Sequence, residues 1–391
     1  MIDFSFCVPT CFILGKGSPS RAGSEIAKRG ATRVLIVDDG GSYLSSLLDT
    51  VRESIRDAGL TVLEMHEKAI KPSFSFISKG VEFCHTNNVD FILAVGGGTV
   101  MDSAKGIAFF SVNEGDLTDY VSYRKESSRC LPVACIVTLS GTGSEVSATA
   151  MLIDDLHEPN IKYPLFQESI RFVFSIMDPS LTCSLPMGHT LAGAFDAITH
   201  IFERYFNGPS GYDLQDRMCE GVISSIMANM KKVIEDPEDY ETRAQLQIAS
   251  TLANSTLLGL GCDSDWAVHY MENPITTETH QLHGSTLAVI ALAWMRYCYD
   301  RDLPKAVNFA LRVMQVLPRE NNRKTALAGI DAFEAFLREV GLPTRLSEIG
   351  LASDRFEEMA RRAQVTAGHQ YVGNISRLSL DEVQAIYKIA E

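Results

Sequence analysis

The sequence predicts a two-part fold, with an α/β half up to Pro186 and an all-helical half beyond it. In the first half, short β-branched runs alternate with amphipathic segments, and several of these runs end in glycine-rich loops. After Pro186 only apolar patterns of helical period remain. The chain has 391 residues, which suits two hydrophobic cores better than one. We therefore predict domains at 1–186 and 187–391.

The elements of the first half follow from these runs and their spacing. Strands are predicted at 34–37, 60–65, 91–95 and 133–139, and helices at 43–58, 74–86 and 99–109. A strand, a glycine loop and a helix in repeated order are typical of a parallel sheet with helical crossovers. In the second half, helices are predicted at 188–205, 213–234, 240–258, 284–299, 305–316, 323–340, 353–363 and 379–390.

Composition excludes several classes of function. The formal charge of −14 disfavours nucleic acid and anionic membranes as partners, because phosphate groups would be repelled. No apolar run approaches the roughly 20 residues of a membrane-spanning helix, and the first residues do not resemble a signal peptide. The nine cysteines are scattered without CxxC spacing, which is typical of reduced thiols in a cytoplasmic protein.

Two loops are candidates for binding a pyrophosphate. Gly96-Gly97-Gly98-Thr99 lies between a buried strand and a helix, where backbone N–H groups at the helix start can face a phosphate. The second loop, Thr138 to Glu145, also follows a strand and is rich in hydroxyls. A tight turn without a ligand is the alternative for either loop. Two such loops at strand ends favour a crevice for a dinucleotide.

Asp39 follows the predicted strand at 34–37 and precedes Gly40. A carboxylate at this position can accept hydrogen bonds from the ribose hydroxyls of an adenosine, and it would repel a 2′-phosphate. The pattern therefore favours NAD over NADP. The alternative is an Asp-Gly pair that only forms a turn.

A metal site is indicated by one acidic residue and several histidines. Asp196 and His200 are four residues apart, so in a helix they share one face. His269, His280 and His283 lie within fifteen positions of one another. A carboxylate with imidazoles suits Fe(II), Zn(II) or Mn(II). The residue types do not distinguish His280 from His283.

Taken together, these motifs resemble the iron-containing, or group III, alcohol dehydrogenases over essentially the whole chain. The resemblance rests on the following segments: Gly96 to Thr99 with Asp102 and Lys105, Thr138 to Glu145, Met177-Asp178-Pro179, Leu185-Pro186, Asp196-Ala197-x-x-His200, Asp265-Trp266-Ala267-x-His269 and His283-Gly284. The segments around Gln215-Asp216-Arg217 and Asp265-Trp266-Ala267 look most like the butanol dehydrogenase and broad-specificity aldehyde reductase branch.

The resemblance implies a Rossmann-like dinucleotide-binding domain and a helical metal-binding domain, the architecture shared with dehydroquinate synthase. It implies hydride transfer between NAD(P)(H) and a small alcohol or aldehyde in a cytoplasmic homo-oligomer. One divalent metal, Fe(II) or alternatively Zn(II), would be held by the catalytic residues Asp196, His200, His269 and His283. The cofactor would contact Asp39, Gly97, Gly98, Thr99, Asp102, Thr138, Thr142, Lys162 and Leu181.

The chain departs from the family pattern at two positions. Asn273 stands four residues after His269, where the family usually has a histidine with a proton-relay role, and asparagine carries no proton at neutral pH. Asp39 precedes Gly40-Gly41-Ser42, although the broad-specificity branch often prefers NADP. Alternatives are a related enzyme, such as a glycerol dehydrogenase, a maleylacetate reductase or a dehydroquinate synthase, or a protein that binds metal and cofactor without turnover.

Overall fold

The computed structural model describes residues 2–68, 70–122, 124–157, 160–207 and 212–391. The chain divides into two compact units. One unit is Cys7–Ser184, and the other is Leu185–Glu391 together with the N-terminal residues through Phe6. The backbone N–H of Ile2 donates to the carbonyl of Gly261 at 2.9 Å, within the second of these units.

The first unit contains eight strands in the described part of the chain. The strands are β1 Cys11–Leu14, β2 Arg33–Asp38, β3 Thr61–His66, β4 Phe91–Gly96, β5 Val133–Val137, β6 Thr149–Asp154, β7 Ile161–Phe166 and β8 Phe174–Met177. Six of them form a sheet in the order β1-β8-β5-β4-β2-β3, in which every pairing is parallel. A separate antiparallel hairpin is formed by β6 and β7. The helices are α1 Ala22–Ala27, α2 Ser45–Asp57, α3 Phe74–Asn87, α4 Gly98–Phe110 and α5 Leu117–Val121.

The order in which the chain adds strands to the sheet reverses at β2. This strand pairs with β3 on one side and with β4 on the other, so Val34 faces Val62 and Phe91 in register. The central runs of β2 and β4 are apolar, and Val34 to Val37 and Phe91 to Val95 have no exposed surface. This pattern is typical of parallel strands that are covered on both faces. In an open parallel sheet, the crevice at such a switch point is the usual ligand site. The loops after β2 and β4 are therefore the positions at which to look for a dinucleotide.

The second unit is helical. Its helices are α6 Met187–Tyr205, α7 Asp213–Glu235, α8 Tyr240–Asn254, α9 Ala267–Thr279, α10 His283–Cys298, α11 Leu303–Asn308, α12 Asn322–Glu339, α13 Phe356–Ala367 and α14 Leu380–Ile389. Residues Leu287 to Met295 of α10 are buried in one continuous run, which places this helix at the centre of the unit's core. The parallel sheet and the helical unit confirm the predicted fold class.

No helix among the described residues combines the length and the apolar character needed to cross a lipid bilayer.

Some elements were not predicted from the sequence. The strands β1 and β8 have only four residues each, and β7 contains Pro164, so their patterns are too short or too irregular to recognise. The helix α9 was also missed. It contains Pro274 and begins after Trp266, whose φ of 64° is left-handed, and it has no side-chain cap at its start. This helix carries His269, one of the candidate ligands.

Candidate metal centre and cofactor-binding loops

The helix α6 supplies the first two candidate ligands. It is buried from Thr190 to Tyr205, and the buried residues include polar and charged ones. Asp196 and His200 point the same way from successive turns, with Nδ1 of His200 3.5 Å from Oδ1 of Asp196. Asp196 is only 3% exposed. A carboxylate this deeply buried requires a partner of opposite charge or a bound cation.

Two histidines from other helices complete the cluster. His269, in the first turn of α9, places Nε2 3.6 Å from Oδ1 of Asp196. His283, the first residue of α10, places Nε2 3.8 Å from the same oxygen. His280 is exposed at the end of α9, where its φ is 55°. The structure therefore brings Asp196, His200, His269 and His283 together and leaves His280 on the surface.

The donor atoms of this cluster fit a divalent cation. Oδ1 of Asp196, Nδ1 of His200 and Nε2 of His269 are buried, have no hydrogen-bond partner among the described residues, and lie within 4.8 Å of one another. An unsatisfied polar atom costs about 1–3 kcal/mol when it is buried. These three atoms, with Nε2 of His283 beside them, form a set of carboxylate and imidazole donors of the kind that binds a divalent transition metal.

The charges in the cluster shift its pKa values in opposite directions. Burial, opposed in part by Asp196, lowers the pKa of His200 to about 3. For His269, burial lowers the pKa, but the nearby carboxylates of Asp196 and Glu203 outweigh it and raise the pKa to about 9. Burial disfavours the Asp196 carboxylate, yet His200, His269 and His283 hold its pKa below the usual range. Asp196 is therefore ionised and able to bind a cation at neutral pH.

Two buried glutamates lie behind the imidazoles, and the sequence analysis did not identify them. Glu203 contacts Nδ1 of His269 at 3.0 Å, and Glu272 lies 2.7 Å from Nδ1 of His283. Each glutamate follows a candidate ligand by three residues, because Glu203 follows His200 and Glu272 follows His269. This repeated H-x-x-E spacing is the sequence signal that could have revealed them.

An aromatic side chain forms one wall of the cluster. The ring of Trp266 lies edge-on to His269 and His200, with centroid distances of 5.4 and 6.1 Å. The guanidinium of Arg204 lies 5.3 Å from the Trp266 ring and donates to the carbonyl of His200 at 2.7 Å. The left-handed backbone of Trp266 is uncommon for a bulky residue, and it directs this ring toward the ligands.

In the first unit, the two candidate phosphate loops lie side by side. The helix α4 begins at Gly98, and Gly97 precedes it without any side-chain cap, so the first N–H groups of α4 remain available to a ligand. A Cβ atom at Gly98 would lie 2.7 Å from Cγ2 of Thr142, so only glycine allows this approach. Thr138 joins the loops because its N–H donates to the carbonyl of Gly96 at 3.2 Å. Thr99 is exposed beside them.

Asp102 and Lys105 of α4 hold the loop from Thr138 to Glu145 and the residues that follow it by hydrogen bonds. Asp102 accepts from Oγ of Ser144 at 2.7 Å and from the N–H of Met151 at 3.0 Å. The Lys105 ammonium has no exposed surface and donates to the carbonyls of Ser144, Ser147 and Thr149 at 2.7–2.9 Å. Burial lowers the pKa of Lys105 to about 8. Both side chains are thus engaged with the protein itself, in positions that shape the loop.

The remaining predicted cofactor residues are Asp39, Lys162 and Leu181. Strand β2 ends at Asp38, so Asp39 is the first residue beyond it. Asp39 accepts from the N–H of Gly41 at 2.9 Å and from the hydroxyl of Tyr43. Lys162 is half-buried on β7, and Leu181 packs against the apolar cluster under β1 and β8.

Both halves of the chain match models of one protein family. Residues 9–179 match the model described as iron-containing alcohol dehydrogenase, and residues 190–390 match the C-terminal model of the Fe-containing alcohol dehydrogenase family. The chain belongs to the iron-containing alcohol dehydrogenase family. The resemblance drawn from the sequence motifs is therefore confirmed, and membership makes the chain an NAD(P)-dependent oxidoreductase of the alcohol dehydrogenase type.

Individual relatives are similar over the full length. The NADH-dependent butanol dehydrogenase A of Clostridium acetobutylicum is 34% identical over 99% of both chains. The NADPH-dependent aldehyde reductase YqhD of Escherichia coli is 29% identical over 100% of both chains. The crystal structure of an NADH-dependent butanol dehydrogenase A from Thermotoga maritima superposes with a TM-score of 0.93 at 30% identity, covering 100% of this chain and 99% of the other. These matches confirm the predicted branch of the family.

Proposed function

We propose that the chain is an Fe(II)-dependent reductase of small aldehydes that prefers NADH and also oxidises the corresponding alcohols. The observation that carries this proposal is the convergence of His200, His269 and His283 on the buried carboxylate of Asp196. These four residues would be the metal ligands and, by holding the metal, the catalytic centre. Zn(II) is the alternative metal, since the donor set suits both ions.

A divalent cation bound there would supply Lewis-acid polarisation of the substrate oxygen, and the nicotinamide would supply or accept the hydride. The chain's own residues provide the donor set, exclude water on one side and leave an opening for the substrate on the other. Asp196 and the imidazoles provide a rigid donor set on three packed helices. The buried helix α6 and the ring of Trp266 keep water from one side of the cluster. The His283 side chain is 37% exposed, so a small substrate would approach from its side.

The cofactor would be held by the loops after β2, β4 and β5. The N–H groups at the start of α4 suit a pyrophosphate, with Gly97, Gly98, Thr99, Thr138 and Thr142 around it. Asp102 would act indirectly, because its carboxylate holds the loop at Ser144. We assign Lys162 and Leu181 to cofactor contact on the family pattern. Asp39 supports NADH, since its carboxylate would repel a 2′-phosphate.

The test is a screen of NADH and NADPH oxidation against short aldehydes, before and after chelation and after reconstitution with Fe(II) or Zn(II). We expect turnover that disappears on chelation, returns with metal and is faster with NADH. Normal turnover of a metal-free His269→Ala variant would refute the ligand assignment. Tight metal binding without turnover on any aldehyde would favour a non-catalytic role, which Asn273 would then explain.

We also expect a cytoplasmic homo-oligomer. All nine cysteines are free thiols, which is typical of a reducing compartment. Mass measurement in solution tests the oligomeric state.

A further inference from the structure

We infer that Glu203 and Glu272 are positioning residues that fix the orientation and tautomer of His269 and His283 for metal binding. This inference rests on the ligand set proposed above and extends it to the residues behind it. Both glutamates are essentially inaccessible to solvent, at 2% and 0% exposure. Buried carboxylates are costly unless they are paired, so their presence requires an explanation.

Glu203 holds His269 at two points. Its Oε1 accepts from the backbone N–H of His269 at 3.1 Å and from Nδ1 of the same residue at 3.0 Å. Because an ionised carboxylate only accepts hydrogen bonds, Nδ1 carries the proton in the neutral ring of His269, and Nε2 then presents a lone pair. That nitrogen is the one that lies 3.6 Å from Asp196. The contact therefore selects the tautomer that can bind a cation at the cluster.

Glu272 lies beside the corresponding ring nitrogen of His283, in an ion-pair contact. Its Oε2 lies 2.7 Å from Nδ1 of His283, while Nε2 lies on the other side of the ring, 3.8 Å from Asp196. No described group makes a hydrogen bond of good geometry to the Glu272 carboxylate. Among the described residues, His283 is the ion-pair partner of this buried acid. The ring of His283 is partly exposed, so it depends on this contact for a fixed orientation.

The two contacts connect three helices in succession. Glu203 is on α6 and serves the histidine of α9, and Glu272 is on α9 and serves the histidine of α10. Each acid lies three residues after a ligand of its own helix, so one turn of helix carries both a ligand and the support for the next ligand. In both histidines the carboxylate contacts Nδ1, the ring nitrogen that faces away from Asp196. A role in fold stability alone would not require this choice of nitrogen.

The arrangement predicts how metal affinity responds to substitution. Outer carboxylates that orient metal-binding histidines typically contribute about 10–100-fold to affinity. Glutamine keeps an oxygen that can accept from Nδ1–H, whereas alanine removes the acceptor. We therefore expect Glu203→Ala and Glu272→Ala to bind Zn(II) or Co(II) about 10–100-fold more weakly. We expect Glu203→Gln and Glu272→Gln to retain clearly more affinity than the alanine variants.

The experiment measures the dissociation constants of the apo-enzyme for Zn(II) and Co(II) by competition with a chelator. The visible spectrum of the Co(II) form reports ligand geometry independently of activity. Glu220→Gln is the matched control. Glu220 is also a buried glutamate of the helical unit, but it accepts from the hydroxyl of Tyr205 and from Arg312 and contacts no candidate ligand. Its replacement should change thermal stability without changing metal affinity.

The outcomes separate this inference from the proposed function. If the wild type binds metal and His269→Ala does not, the ligand set stands. If both alanine variants then bind metal within about threefold of the wild type, or if glutamine and alanine variants lose affinity equally, the positioning role is refuted. If Glu203→Ala fails to fold, the comparison of Glu203→Gln with the wild type in affinity and Co(II) spectrum decides. A wild type that binds no metal refutes the proposed function itself.

Discussion

Oε1 of Glu203 accepts hydrogen bonds from both the backbone N–H and Nδ1 of His269, at 3.1 and 3.0 Å. The opposite ring nitrogen is left facing Asp196. One side chain of α6 therefore fixes the start of α9, the rotamer of its histidine and the nitrogen available for a metal. The metal centre is consequently a property of helix packing as much as of its donor residues.

The first prediction separates His283 from His280. We expect His283→Ala to weaken metal binding by roughly 100-fold or more, because one of four ligands carries about a quarter of the ~10–16 kcal/mol typical of a tetrahedral site. His280→Ala should bind metal like the wild type, since His280 is exposed at the end of α9. Metal content after dialysis and chelator competition measure both. Equal losses in the two variants would contradict the assignment.

The second prediction concerns removal of the metal. The unpartnered buried atoms of Asp196, His200 and His269 would gain partners on binding, so metal stabilises the folded state over the unfolded one. At a free metal concentration of about 100 times the dissociation constant, the gain is ~2.7 kcal/mol. We expect the melting temperature to fall by about 5–10 °C on chelation. Calorimetry with and without chelator, and after Zn(II) is restored, measures it. A melting temperature that does not change would speak against a metal at this cluster.

The third prediction concerns Lys105. Its ammonium donates to three backbone carbonyls in the region that includes the second phosphate loop, so Lys105→Met leaves them without this partner. We expect a loss of about 2–4 kcal/mol in the free energy of unfolding, and weaker NADH binding because the loop loses its support. Denaturant titration and fluorescence titration measure these two quantities.

The control for this variant is Lys324→Met. Lys324 forms an exposed pair with Glu320 on the helical unit. Its replacement should change the free energy of unfolding by less than about 1 kcal/mol and leave NADH affinity unchanged. Should Lys105→Met bind NADH as tightly as this control does, the loop would not depend on the buried ammonium.

The fourth prediction concerns cofactor choice. Asp39→Asn keeps one side-chain oxygen, which can accept from the Gly41 N–H, and places an amide NH2 beside the Tyr43 hydroxyl, to which it can donate. The substitution removes the negative charge. We expect kcat/KM for NADPH relative to NADH to rise about tenfold, which corresponds to ~1.4 kcal/mol of relieved repulsion. Steady-state kinetics with both cofactors measure the ratio. Asp49→Asn, on the exposed side of α2, should leave it unchanged. A ratio equal to that of the wild type would place the 2′-position away from Asp39.

Local sequence patterns predicted most of the fold and part of the site. The apolar runs that became β2, β4 and β5 are recognisable because buried parallel strands are continuous and short. The helix at 188–205 placed Asp196 and His200 on one face because their spacing is one helical turn. The helix α9 escaped prediction because Pro274 and the left-handed Trp266 break the local pattern, and packing of α9 against α10 and α13 overrides those weak local preferences.

The sequence by itself determined the fold class, the glycine loops, the Asp196–His200 pair and the family to which the chain belongs. Each of these depends on residues close together in the chain or on a family pattern. The family resemblance favoured His283 over His280, whereas the residue types did not distinguish them, and the tertiary structure places His283 beside Asp196. Only the tertiary structure revealed that Glu203 and Glu272 stand behind His269 and His283. The physical reason is that these contacts join three helices, and their distances depend on how the helices pack rather than on spacing along the chain.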